Sequence, residues 1–241
     1  MIQLVRLPLI ALLPMLLLAV PGPVNATVVS NQVGTLLDYD FDASTAPNAS
    51  QIITDFSGFD SMAVDDFTVT GPELRLTNIL ALFEARGGFE SFGAVAGYRV
   101  SIFSDPALAG SSLLGDTASV LISLGPDVTV TPADGGDHGL VNLPVDILLP
   151  TAGTYWLGVA PVASKSVAGQ FYLQNSGAKG PIFSGGSDGF FANPDEGYGV
   201  GPLTEANLDF AYVVQIVPEP AAAGLLVIGS LGLLMRRRRA L

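Results

Sequence analysis

Between residues 27 and 217 a turn signal interrupts the chain every 8–12 residues, and no long apolar pattern of period 3.6 survives between the breaks. Gly71-Pro72, Gly87-Gly88, Asp105-Pro106, Gly125-Pro126, Asp134-Gly135-Gly136 and Gly180-Pro181 are combinations that turns favour and helix interiors reject. The runs between them, such as 62–70, 74–83, 97–103 and 153–159, are rich in Val, Ile, Thr and aromatic residues. In the third run Tyr98, Val100 and Ile102 alternate with Arg99 and Ser101, so one face is apolar and the other polar. A helix competes only over 74–86, where Thr77, Asn78 and Ile79 weaken it. Short strands at this spacing predict an all-β fold, an antiparallel β-sandwich or jelly-roll-like domain. No internal repeat of fixed period supports a propeller or a solenoid.

The same 191 residues are long enough to close two packed sheets without covalent help, and there is no cysteine to provide any. Thiolate zinc sites, cysteine nucleophiles and iron–sulfur clusters are thereby excluded. The segment holds 21 of the 22 acidic residues but five of the ten basic ones, a local charge of −16. Such a field repels phosphate backbones, so nucleic acid is not an expected partner.

The two ends differ from this middle. Arg6 and the α-amine precede an apolar stretch over 7–20, then Pro21-Gly22-Pro23 and the short residues Val24-Asn25-Ala26. This is the layout of a secretory signal helix cut before Thr27. A 14-residue stretch holding Pro8 and Pro14 is too short to span a bilayer, which needs about 20. At the other end Val217-Pro218-Glu219-Pro220 leads into 15 apolar residues, 221–235, followed by Arg236, Arg237, Arg238 and Arg239. As a helix this run reaches roughly 22 Å against a hydrocarbon core of about 30 Å. It is a weak transmembrane helix whose arginines belong on the cytoplasmic side, placing residues 27–217 outside the inner membrane.

The Pro-Glu-Pro triplet, the helix rich in Ala and Gly and the terminal arginine cluster together resemble the PEP-CTERM sorting signal. The resemblance covers residues 217–241 and implies removal of the tail by a membrane protease of the exosortase class. Pro218, Glu219 and Pro220 would be the recognition element, and Arg236, Arg237, Arg238 and Arg239 the stop signal. It further implies a Gram-negative host that makes exopolysaccharide and biofilm. The expected organisation is a signal peptide over 1–26, a β-sandwich ectodomain over 27–216 and the sorting tail over 217–241. Phrases such as Asp65-Asp66-Phe67, the run 101–110 and Gly153-Thr-Tyr-Trp-Leu157 are similar to those of exported β-sandwich domains carrying this tail, which adds fold and location but no ligand.

Several side-chain groups are candidates for chemistry. Asp38, Asp40 and Asp42 alternate with Tyr39 and Phe41, so on a strand the three carboxylates share one face and the rings point to the core. A Ca²⁺ ion would relieve their repulsion, although Ala43 and Ala49 occupy the places where an EF-hand loop needs Gly and Glu. A solvated acidic face is the plainer account. Asp65 and Asp66 are adjacent, so at most one is expected to reach inward, and there it needs hydrogen bonds or an ion. Residues 177–201 hold eight glycines among Phe183, Phe190, Phe191 and Tyr198. Either these rings stack on sugars from a mobile loop, or they pin an irregular crossover to the sandwich, the plainer reading. Trp156 is a sugar platform only if its ring is open. His138 stands in an Asp134-Gly-Gly-Asp137 turn and is expected at the surface. Neither it nor Ser164-Lys165-Ser166 has the supporting motif of a catalytic dyad or triad.

The expectation is therefore an exported, non-catalytic protein, structural or adhesive in an exopolysaccharide layer, processed by signal peptidase and exosortase and transiently held in the inner membrane. A cell-surface carbohydrate-binding module is the alternative, with a two-carboxylate glycoside hydrolase behind it.

Overall fold

The alternating runs become strands. A computed structural model describes residues 26–34, 36, 39, 41, 48–71, 74–89, 91–176 and 188–218. In chain order its strands are β1 (Thr27–Asn31), β2 (Asn48–Ala49), β3 (Ile52–Ile53), β4 (Met62–Val69), β5 (Leu74–Arg86), β6 (Gly97–Phe103) and β7 (Ala118–Ser123). There follow β8 (Thr129–Ala133), β9 (His138–Leu149), β10 (Gly153–Ala163), β11 (Gln170–Leu173), β12 (Phe190–Ala192), β13 (Leu203–Glu205) and β14 (Tyr212–Pro218). One turn of α-helix, α1 (Lys165–Ala168), lies between β10 and β11.

These strands form two sheets of an antiparallel all-β sandwich. In the first, β5 pairs along one side with β9, which carries β8 at its far edge. The other side of β5 is shared end to end by β14, flanked by β1, and by β11, flanked by β2. The second sheet runs β13–β12–β4–β10–β6–β7. The short β3 joins it parallel to β10, at Val162 and Ala163, beyond the point where β4 stops.

Burial explains the sequence pattern of β5. Leu74 and Leu76 face the inter-sheet core, and so do Ile79, Ala81, Phe83 and Ala85. The change of parity comes from a bulge between Leu76 and Asn78 opposite β14, where these two residues face the consecutive Ile216 and Gln215. An inserted residue of this kind turns the strand's other face inward. It also blurs the period-2 signal that separates this run from a helix. Across the core, Tyr98, Val100 and Ile102 of β6 are fully buried, as their alternation predicts.

Each sheet is also covered over part of its outer face. Val33, Tyr39 and Phe41 pack over Leu80, Leu82, Ala211 and Val213 of the first sheet. Phe103, Ala109, Trp156, Ala160 and Ala192 cluster with Met62 and Val64 on the far side of the second. Strands covered on both faces lose polar alternation, which is why residues 155–161 are buried without a break.

Two hydroxyls complete the ladder between β4 and β10. Backbone pairing runs from Gly153 opposite Val69 to Gly158 opposite Val64. At the next step the Ser50 hydroxyl donates to the Val159 carbonyl (2.6 Å) and accepts from the Ala63 N–H (3.1 Å). Tyr212, reaching over from β14 in the opposite sheet, accepts from the Val159 N–H (2.9 Å) and donates to the Ala63 carbonyl (2.9 Å). Burial pushes the Tyr212 phenol far above its ordinary range, so it remains a donor throughout.

Among the described residues no helix is long and apolar enough to cross a membrane. The expected signal helix, and the C-terminal helix with Arg236, Arg237, Arg238 and Arg239, lie outside the described residues. So do Glu219 and Pro220 of the triplet. Pro218 ends β14 opposite Leu74, and the strand runs two residues past the boundary drawn at 216. At the other end β1 opens at Thr27, the residue after the expected signal cut.

Candidate functional site

The aromatic residues singled out in the glycine-rich segment separate into two groups. Part of that segment is not an irregular crossover: it forms β12, paired with β4. Consecutive residues of a strand point to opposite faces, so Phe190 and Phe191 part company. Phe190 turns to the outer cluster and meets Trp156 edge to face at 5.3 Å. Trp156 is 8% exposed, so it is not the open platform that stacking on a sugar requires.

Phe191 turns the other way and meets Tyr198 edge to face at 5.5 Å. These two rings, with Tyr172 of β11, line a cleft of about 320 Å³. Its remaining walls are Asn48 and Ala49 of β2, Thr204 and Glu205 of β13, and the flanking Val200 and Ala206. The cleft therefore lies where edge strand β2 of one sheet comes up against edge strand β13 of the other.

Each ring is fixed by a named contact. Gln170 donates to the Tyr198 hydroxyl at 2.7 Å, and Phe59 packs edge to face on Tyr198 at 5.5 Å. Burial raises the Tyr198 phenol above its ordinary range, so it stays protonated. The turn carrying it lies so close to residues 57–59 that a Cβ on Gly197 would run into the Gly58 carbonyl. On the far wall the Arg86 guanidinium sits 5.1 Å over the Tyr172 ring and pairs with Glu84.

No family model, curated protein or solved structure matches this chain. The cleft's chemistry must then speak for itself. Two half-buried tyrosine rings, backed by the buried Phe191, stand beside an amide, a hydroxyl and a carboxylate; they provide apolar surface for C–H groups and partners for hydroxyls within a ligand-sized space.

The carboxylates behave differently from expectation. Asp38, Asp40 and Asp42 lie outside the described residues, but their neighbours Tyr39 and Phe41 do turn inward. They cover the outer face of the first sheet, not the inter-sheet core, and neither residue is in a strand. Asp65 and Asp66 are both buried, which corrects the expectation of one. The reason is the covering of both faces of β4. Asp65 points into the core, where it accepts from the Phe210 N–H at 2.6 Å and from the Asp66 N–H at 2.8 Å. Burial, reinforced by Asp209, raises its carboxyl well above the ordinary range despite these two donors.

His138 also departs from the sequence reading, being 7% exposed. It is not in the turn but begins β9, opposite Glu84. Gln174 donates to Glu84 at 2.8 Å and lies 3.3 Å from His138 Nε2, while Nδ1 is 3.2 Å from Asp137. The Phe41 ring covers the imidazole at 4.8 Å. Asp134, Asp137 and His138 offer ligand atoms within 4.8 Å of one another, the metal-ligating spacing found among the described residues.

Ser164-Lys165-Ser166 has a structural use. Asp55 accepts from the Ser164 hydroxyl (2.8 Å), the Lys165 N–H (2.8 Å) and the Ser166 N–H (3.1 Å), capping α1.

Proposed function

We propose that this chain is an exported, non-catalytic adhesive protein of an exopolysaccharide layer, which holds neutral sugar units in the cleft lined by Tyr172, Phe191 and Tyr198. That cleft is the observation that carries the reading. The half-buried rings of Tyr172 and of Tyr198, the latter held by buried Phe191, suit the apolar faces of pyranoses, and Asn48, Thr204 and Glu205 suit their hydroxyls. The local charge of −16 argues for neutral polymers over acidic ones. Glu205 is the one carboxylate among the described lining residues, whereas glycoside hydrolysis needs two flanking the scissile bond. Export rests on the ends of the sequence: a signal helix over 1–26 and a PEP-CTERM-like tail whose transmembrane helix and arginines hold the chain until an exosortase acts.

Two experiments test these halves separately. In affinity electrophoresis the wild-type chain is expected to be retarded by a neutral polysaccharide gel. Tyr198→Ala should weaken that binding at least about tenfold, the loss of one stacking contact worth roughly 1.5 kcal/mol. Equal retardation of the two proteins, or none of the wild type, counts against the cleft. In a host with an exosortase, changing Pro218, Glu219 and Pro220 together to Ala should leave full-length chain in the inner membrane. Release at the wild-type level would remove the sorting reading and leave the cleft untouched.

A further inference from the structure

The edges of the two sheets are not treated alike. β8 carries Pro132, which cannot donate to a neighbouring strand. β1 is interrupted by a register shift between Val28 and Ser30. β2 is two residues long, and β13 has three residues, of which Glu205 is charged. Each of these resists the addition of a further strand.

β7 has none of these features. It pairs with β6 on one side, and among the described residues no strand pairs with its other side. From Thr117 to Gly125 nine residues in a row carry neither a charge nor a proline. Val120 is 39% exposed, Leu121 47% and Leu124 37%. In a chain of net charge −12, this uncharged strand is where two like copies meet with least repulsion.

We infer that β7 is a homotypic docking edge, through which two copies of this chain join antiparallel into one continuous sheet. The register follows from the side chains. Val120 and Ile122 lie opposite Val100 and Tyr98, so they share the core side; Leu121, opposite Arg99, is on the outer side. A two-fold axis perpendicular to the sheet keeps the core sides of both copies together. Centred on Leu121, it sets Leu121 against its own mate, Val120 against Ile122, Ser119 against Ser123 and Ala118 against Leu124. Every pair matches apolar with apolar or hydroxyl with hydroxyl. Centring on Val120 instead would set Ser119 against Leu121. The occupant is thus a second copy of this chain, and the inference does not rest on the sugar-binding reading.

Absence of native cysteine makes the test clean. In the full chain purified in detergent, Leu121→Cys places the new thiol beside its own mate, at a cross-strand separation close to what a disulfide needs. Mild oxidation should give a covalent dimer from Leu121→Cys several times faster than from Leu148→Cys, a control on β9 that is 49% exposed. Independently, Leu121→Lys should raise the dimer dissociation constant in sedimentation by roughly tenfold or more, with an unchanged melting temperature. Association through any other part of the chain is common to wild type and variant. Equal cross-linking at both positions, a dimer indifferent to Leu121→Lys, or a wild type that stays monomeric at every concentration would each overturn the inference.

Discussion

Tyr212→Phe should destabilise the sandwich by about 3 kcal/mol, the cost of leaving a buried N–H and a buried carbonyl without partners. For a domain of this size that lowers the melting temperature by about 9 °C. The substitution removes one oxygen and leaves the ring, so no cavity accompanies the loss. What it strips is the bridge from β14 to the Val159 N–H and the Ala63 carbonyl, at the step where β4 and β10 no longer bond directly. Ser50→Ala removes the other bridge between the same two residues. The two losses share partners, so the double variant should depart from additivity. Thermal melts of the four proteins measure this. A Tyr212→Phe loss within about 0.5 kcal/mol, the range of an exposed side chain, would mean that the hydroxyl contributes nothing.

The second large effect is expected at Asp65. Asp65→Ala leaves the Phe210 and Asp66 N–H groups without an acceptor and should cost about 2 kcal/mol or more. Its signature is the pH dependence. The folded carboxyl titrates above its unfolded counterpart, so between the unfolded value near 4 and the raised folded value the native state holds more protons. Wild-type stability from this group therefore grows as pH falls through that window and is lost as pH rises. Asp65→Asn lacks the titration. The gap in urea midpoint between wild type and Asp65→Asn should be wider at about pH 4.5 than at about pH 7.5. All other carboxylates are common to both proteins. A gap that is constant or narrower in acid would show that Asp65 is ionised in the core without penalty.

The long strands were legible because their side chains alternate or run apolar between clear turns: β6 begins and ends where its sequence suggests, and β4 and β10 differ by a few residues at one end. β2, β3 and β13 were not, since two or three residues give no period to read. The bulge in β5 shows why a true strand can resemble a helix: one inserted residue changes the spacing of buried positions from two to three. Of the cleft, Phe191 and Tyr198 stood out by their glycine-rich surroundings. Tyr172 did not, although Phe171 and Leu173 turned inward leave Tyr172 outward on the same strand. His138 was misplaced because the Asp-Gly-Gly signal ends two residues before it. From Leu140 to Leu143 the buried Val141 and Leu143 alternate with the half-buried Leu140 and Asn142, which marks strand, not turn. Asp66 was misjudged for a different reason: adjacent strand residues do face opposite ways, but no local pattern announces that segments far along the chain will cover both sides.

β14 lies inside its sheet, bonded to β1 on one flank and β5 on the other, and the sequence of the tail continues from its last residue. A pull on the chain beyond Pro218 along the strand axis would therefore load both rows of hydrogen bonds at once, in shear, instead of peeling them one by one. At the far end of the same strand Tyr212 is tied to the opposite sheet, which shares the load. Mechanical strength along this one direction is thus built into where the last strand was inserted.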